Sequence, residues 1–261
     1  MLTALLLTLF PLQSQAPSPL VAEIDGFTFK PGMQVVGTVY HYRKSNVDGS
    51  NPSHVDLYMA SDSRMESFKY HTGSTVGTLV CADMDWTTFS VARFETARVF
   101  ADGTEENMAI LEAKGDVLHC VMGGSTFTVN VERYPWHTYD FDLASLNMGL
   151  RYLADPEGVA LMGMIDQYRG RLVPKGFVEL AYLDDAERAG HTCRHYSIDG
   201  PGLQDRGGEL WVRQGTDPVI VDYEIDLPDE SSMQSGKMLL VGTEVLDADA
   251  WKKHRKSALE Q

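Results

Sequence analysis

His191, Cys193 and His195 alternate along GHTCRHYSIDG (190–200). Imidazole and thiolate are both metal ligands and catalytic groups, so this spacing is the first place to look for chemistry. What the three can do depends on the element that carries them. On a strand, residues two apart share a face about 7 Å apart, and residues four apart lie about 13 Å apart. Metal bonds near 2 Å cannot draw all three to one ion on a straight strand. A His–Cys pair with a further ligand from a neighbouring strand could hold one. A catalytic thiol needs an oriented base within about 3.2 Å, which the same spacing puts out of reach. We expect a strand here, with the two-residue metal pair as the alternative. No catalytic residue, metal site or cofactor is assigned.

Other candidates concern binding. YPWHTYDFD (134–142) gathers aromatic residues with His137, Asp140 and Asp142. Trp136 in it could line a pocket mouth where strands give way to helices. The segments 209–213 and 219–227 supply Trp211, Val221, Tyr223 and Ile225 as further lining candidates, with ordinary core as the competing reading. There is no nucleophile elbow, phosphate loop, His-Glu-x-x-His zinc motif or calcium loop. Carboxylates abound, but no spacing singles out a catalytic pair.

Most of the positioning elements read as strands. In Val219–Leu227 the odd positions are apolar and the even ones, except Ile220, acidic, which gives a strand one dry and one wet face. Residues 214–218 form the turn of a hairpin with 209–213, and SGKMLLVGTEV (235–245) adds another strand. Strands are expected over 35–43, 55–60, 65–70, 77–82, 88–100, 106–113, 117–122 and 126–133, in one antiparallel meander. The middle differs. Asp142 could cap a helix bearing Leu143, Leu146, Leu150 and Leu153. Asp155-Pro156 opens a second helical segment with Leu161, Met162 and Ile165. A terminal helix over 247–259 starts at Asp247 and Asp249 and ends in Lys252, Lys253, Arg255 and Lys256, as the helix dipole favours; that basic cluster reads as a solvated face.

The chain opens with an uncharged apolar run, Leu2 to Phe10, followed by Ser14-Gln15-Ala16. This reads as a secretory signal peptide over 1–16, although the usual basic start is missing, and implies a periplasmic or secreted protein. No later run is long enough to span a membrane. A net charge of -15 disfavours nucleic acid and anionic membrane surfaces as partners. At 43% hydrophobic residues the chain can bury a proper core, and residues 17–261 are expected to form a single domain. Cys81, Cys120 and Cys193 fit either one disulfide and a leftover thiol or three buried thiols.

The segment AGHTCRHYSIDG (189–200), followed by GGELWVRQGTDPVIVDYEIDL (207–227), resembles a stretch in a family of predicted periplasmic proteins of unknown function. There a Cys-x-His strand precedes a Trp strand, a Gly turn, a Pro and a β-branched strand. The helical pair over 142–168 fits the same layout. That family is similar to the lipoprotein carriers of the Lol pathway. The resemblance implies an α+β fold: a curved antiparallel β-sheet, or half-barrel, with helices covering the concave face and acyl chains carried between. The chain departs from the carriers in its acidity and in lacking a lipid-attachment cysteine. The expected function is an exported, non-enzymatic protein that binds or carries a lipid or acylated protein in an apolar cavity. The alternatives are a structural or interaction module of the cell envelope without a cavity, and a metal-binding hydrolase using His191, Cys193 and His195.

Overall fold

The computed structural model describes residues 23–131, 135–138, 142–168, 171–226 and 236–260. The expected signal peptide, Asp140 and the end of the 219–227 strand lie outside them. A short hairpin, β1 (Glu23–Ile24) and β2 (Phe27–Thr28), comes first. The meander follows as β3 (Thr38–Ser45), β4 (Ser53–Met59), β5 (Arg64–Tyr70), β6 (Val76–Asp85), β7 (Ser90–Phe100), β8 (Glu105–Lys114), β9 (Val117–Met122) and β10 (Ser125–Asn130). Then come β11 (Trp136–Thr138), α1 (Ala144–Gly149), β12 (Val159–Tyr168), β13 (Arg171–Arg188), β14 (His191–Asp199), β15 (Gly208–Arg213), β16 (Ile220–Ile225), β17 (Gly236–Val245) and α2 (Ala248–Ala258).

β17 pairs with β3, which joins both halves of the chain into one 15-stranded sheet running from β10 through β3 and β17 to β11. Its pairings are antiparallel except β11 on β12, which is parallel. A sheet this wide accumulates twist and curls. Strands far apart in the ladder are thereby brought together: β10 lies against β13 and β11 against β7.

The expected half-barrel with helices over its concave face is not what forms. Strand accounts for 59% of the structure and helix for 11%, too little to cover a face of this sheet. The segment 155–168, expected to be helical, is largely β12, paired with β13 along its whole length. Gly158 and Gly163 weaken a helix there, and a short continuous apolar run fits a strand buried on both faces equally well. From 142–153 only α1 and a 3₁₀ turn over Leu150–Tyr152 emerge. Asp142 does not cap α1. It adopts φ 50° and sends its carboxylate to Lys44 and Lys69.

The two helices lie on opposite faces. α1 belongs to the main core, with Leu146 and Met148 packed among residues such as Tyr40, Tyr42 and Tyr223. Asn147 ties it to the sheet: its Nδ2 donates to the Tyr42 hydroxyl at 2.9 Å and its Oδ1 accepts from the Ile220 N–H at 2.8 Å. α2 covers a second, smaller core on the other face, where Trp251 packs with Val39, Tyr58, Phe68 and Leu79. This explains why neighbours Val39 and Tyr40 are both fully buried: each looks into a different core. α2 starts as its sequence reads, with the Asp247 carboxylate accepting from the Ala250 N–H at 2.8 Å. Arg255, however, leaves the basic face, being buried and paired with Glu105 at 3.1 Å.

Candidate functional site

The alternating segment 191–195 does lie on a strand, β14, but its side chains do not converge. Cys193 is fully buried, and its thiol faces the His191 carbonyl at 3.5 Å. His195 turns instead to Asp184 at 3.0 Å and to Glu209 at 3.4 Å, and stacks flat on Trp211 with ring centres 4.8 Å apart. Burial pushes the Cys193 thiol up to about 11, the opposite of what a nucleophile needs. Cys81, Cys120 and Cys193 are all free and buried.

The binding candidates divide between the two faces of the sheet. Leu210 is paired with Tyr223, and Trp211 with Asp222. Alternation therefore places Tyr223 and Ile225 on the main-core side, and Val221, where the register slips, joins them in that core, all three buried. Trp211 goes to the other side, between His195 and the Arg188 guanidinium, which lies 4.0 Å from its ring centre. Arg188 in turn holds Asp222 and Glu224, both at 2.7 Å. Trp136 lines an apolar cleft.

That cleft, of about 80 Å³, is bordered by Val131, Trp136, Gly163, Met164, Ile165, Pro174, Gly176 and Phe177, none of them charged. Its walls follow from local sequence. β11 offers three residues, aligned with β12 so that Trp136 lies opposite Gly163, which brings no side chain to compete with the indole. The Trp136 N–H reaches Ser90 Oγ at 3.1 Å, which ties the strand across to β7. On the far wall the register slips between Met164 and Ile165, and Gly176 in β13 adopts φ 104°, open to glycine and strained for other residues. The next residue along β11, His137, is buried, with Nδ1 2.8 Å from Ser145 Oγ, and burial pushes it down to about 3. The Trp136 indole N–H and His137 Nε2 are buried without a partner.

Sequence reasoning found Trp136 but not Met164, Ile165, Pro174 or Phe177. The first two fall in the segment expected to be helical, and none of the expected strands covers 171–188. The available signal was the apolar run VALMGMI (159–165) after a Pro-Gly boundary.

The curled sheet, whose end strands each lie against the opposite half, with a cleft beside β11, defines a β-barrel-like fold. Among solved structures, a β-barrel-like protein of a domain of unknown function, DUF1849, from Brucella abortus is similar to it. The TM-score is 0.50 over 82% of this chain and 100% of that one, at 8% identity. At that identity the likeness speaks to fold alone. No protein-family profile and no curated protein matches the chain. Among the described residues no helix is long and apolar enough to cross a membrane.

Proposed function

We propose that the chain is an exported, non-enzymatic binding protein that takes the apolar end of a lipid or acylated protein into the cleft beside Trp136. The observation that carries this reading is the uncharged lining of the cleft. Apolar cavities stay dry and accept apolar groups; one of ~150 Å³ takes a benzene-sized guest. At about 80 Å³ the cleft suits the last few methylenes of a chain. Each methylene buried contributes about 0.8 kcal/mol. A longer stretch would enter as β11 moves aside, since only three residues hold it to β12. The resemblance of 189–227 to relatives of the lipoprotein carriers supports the same ligand class, and the apolar run over 2–10 supports export.

Titration with a brominated fatty acid tests the ligand. Bromine quenches indole fluorescence at contact, so the wild type should lose the Trp136 emission and Trp136→Phe should show little quenching. Quenching that is absent, or equal in the two proteins, rules the cleft out. Export is tested separately, by fractionating the expressing cells and sequencing the N-terminus. A mature chain starting after Ala16 is expected, and an intact cytoplasmic chain would defeat this part of the reading.

A further inference from the structure

On the face away from the main core, His41 of β3 and Asp56 of β4 are directly paired across the ladder. His41 Nδ1 lies 2.7 Å from one Asp56 oxygen, and His254 Nε2, from α2, lies 2.8 Å from the other. One ligand atom from each of the three residues falls within 4.8 Å of the others. Across the rings from Asp56, a Glu244 oxygen sits 3.0 Å from His41 Nε2 and 3.9 Å from His254 Nδ1. We propose that His41, Asp56 and His254 form a site for a divalent transition-metal ion of the zinc class, with Glu244 orienting both imidazoles.

Hydrogen-bond accounting makes room for an ion. Four ring nitrogens face two carboxylates, yet a neutral imidazole carries a single N–H. Two neutral rings therefore leave two nitrogen lone pairs opposed to carboxylate oxygens. A second proton on each ring relieves the conflict, and so does an ion, which the ligand set is placed to take. The ion takes the lone pairs of His41 Nδ1 and His254 Nε2 together with an Asp56 oxygen, and leaves the other ring N–H groups to donate to Glu244. A carboxylate behind a ligating histidine is the usual arrangement around such metals.

The donor set selects the ion. Two imidazoles and one carboxylate suit zinc and its neighbours, whereas calcium and magnesium prefer oxygen throughout. Tetrahedral bonds near 2 Å place ligand atoms about 3.3 Å apart, so the two Asp56 contacts need to open by about half an ångström and the widest ligand pair, within 4.8 Å, to close. Asp56 is buried, while the side chains of His41 and His254 are 22% and 26% exposed, which leaves one side for a water ligand. The frame is firm. Gly242 of β17 lies beside the His41 ring, and His254 stacks on Trp251, which stacks on Tyr58 and donates to Glu66 at 2.7 Å.

The test uses the untagged full chain, stripped with a chelator and titrated with zinc by calorimetry, with cobalt as a spectroscopic probe. One equivalent should bind, and cobalt should give the visible absorption of a low-coordinate nitrogen–oxygen site. His41→Gln and His254→Gln should lose binding while the metal-free proteins keep their circular dichroism. Glu244→Gln, at a more exposed position, should fold regardless and bind about tenfold more weakly. The proposal is overturned if the wild type shows no saturable uptake, or if uptake is unchanged in the folded histidine variants. Should those variants fail to fold, unchanged affinity in Glu244→Gln overturns it.

Discussion

Asp56 and His254 are 198 positions apart in the chain and 2.8 Å apart in space. This contact, with the ring stack of Trp251 on Tyr58, fastens the terminal helix to the back of the sheet. Removing a large buried aromatic costs about 3–5 kcal/mol. Trp251→Ala should lower unfolding stability by that order in urea denaturation, because the core under α2 is small and Trp251 is its largest side chain. Lys253→Ala, on the exposed face of the same helix, should change stability by less than about 0.5 kcal/mol. Equal effects from the two would show that α2 does not dock as described.

His137 gives the fold an acid limit. Its folded-state value is pushed by burial from 6.5 down to about 3. Above 6.5 the ring is neutral in both states and nothing depends on pH. Below 6.5 the unfolded chain binds a proton that the folded chain refuses. Stability then falls by about 1.4 kcal/mol per pH unit until the folded value is reached. His137→Asn removes this slope. The stability difference between wild type and variant, from urea curves at pH 6.5 and pH 5, should move against the wild type by about 2 kcal/mol. A difference that stays constant would mean that the ring is hydrated in the folded protein.

Asp142 is a buried carboxylate held between Lys44 and Lys69, the second at 2.6 Å. Burial alone would raise it, but the two ammonium groups overrule that and keep it below the ordinary value. Asp142→Asn removes the carboxylate charge that both lysines pair with. Breaking a buried pair costs about 3–5 kcal/mol, and the lower end applies because both lysines retain some access to water. Thermal unfolding should show the loss. Lys44→Met with Lys69→Met in the Asp142→Asn background should recover part of it, and no recovery would show that the charges are not coupled.

The three thiols should be chemically quiet. Burial raises Cys81 to about 12, raises Cys193 to about 11 and pushes Cys120 up as well. A disulfide reagent at pH 8 should label none of them in the native protein and all three in guanidinium. Fewer than three labelled after unfolding would indicate a disulfide and contradict the free cysteines of the structure.

Several elements could be read locally. β4 to β9, the β15–β16 hairpin and α2 each carry their own period of two or of 3.6 and their own turn or cap. Asp247 as the cap of α2 is an example, since that hydrogen bond spans three residues. β12 could not be read this way, because a continuous apolar run fits a buried helix as well as a strand, and its pairing with β13 decided the matter. The side of the sheet that Trp211 occupies depended on register, which no single strand specifies.

The amino-acid sequence by itself determined the strand-rich character, the meander, the terminal helix and the acidic charge, because these rest on composition and near-neighbour spacing. The tertiary structure alone decided which residues meet. Pairing β17 with β3 is what sets Glu244 beside His41, and docking α2 is what brings His254 to Asp56. Curling is what brings β11 against β7 and shapes the cleft beside Trp136. Contacts of that range leave no local period in a sequence, since the cooperative packing of the whole sheet selects them.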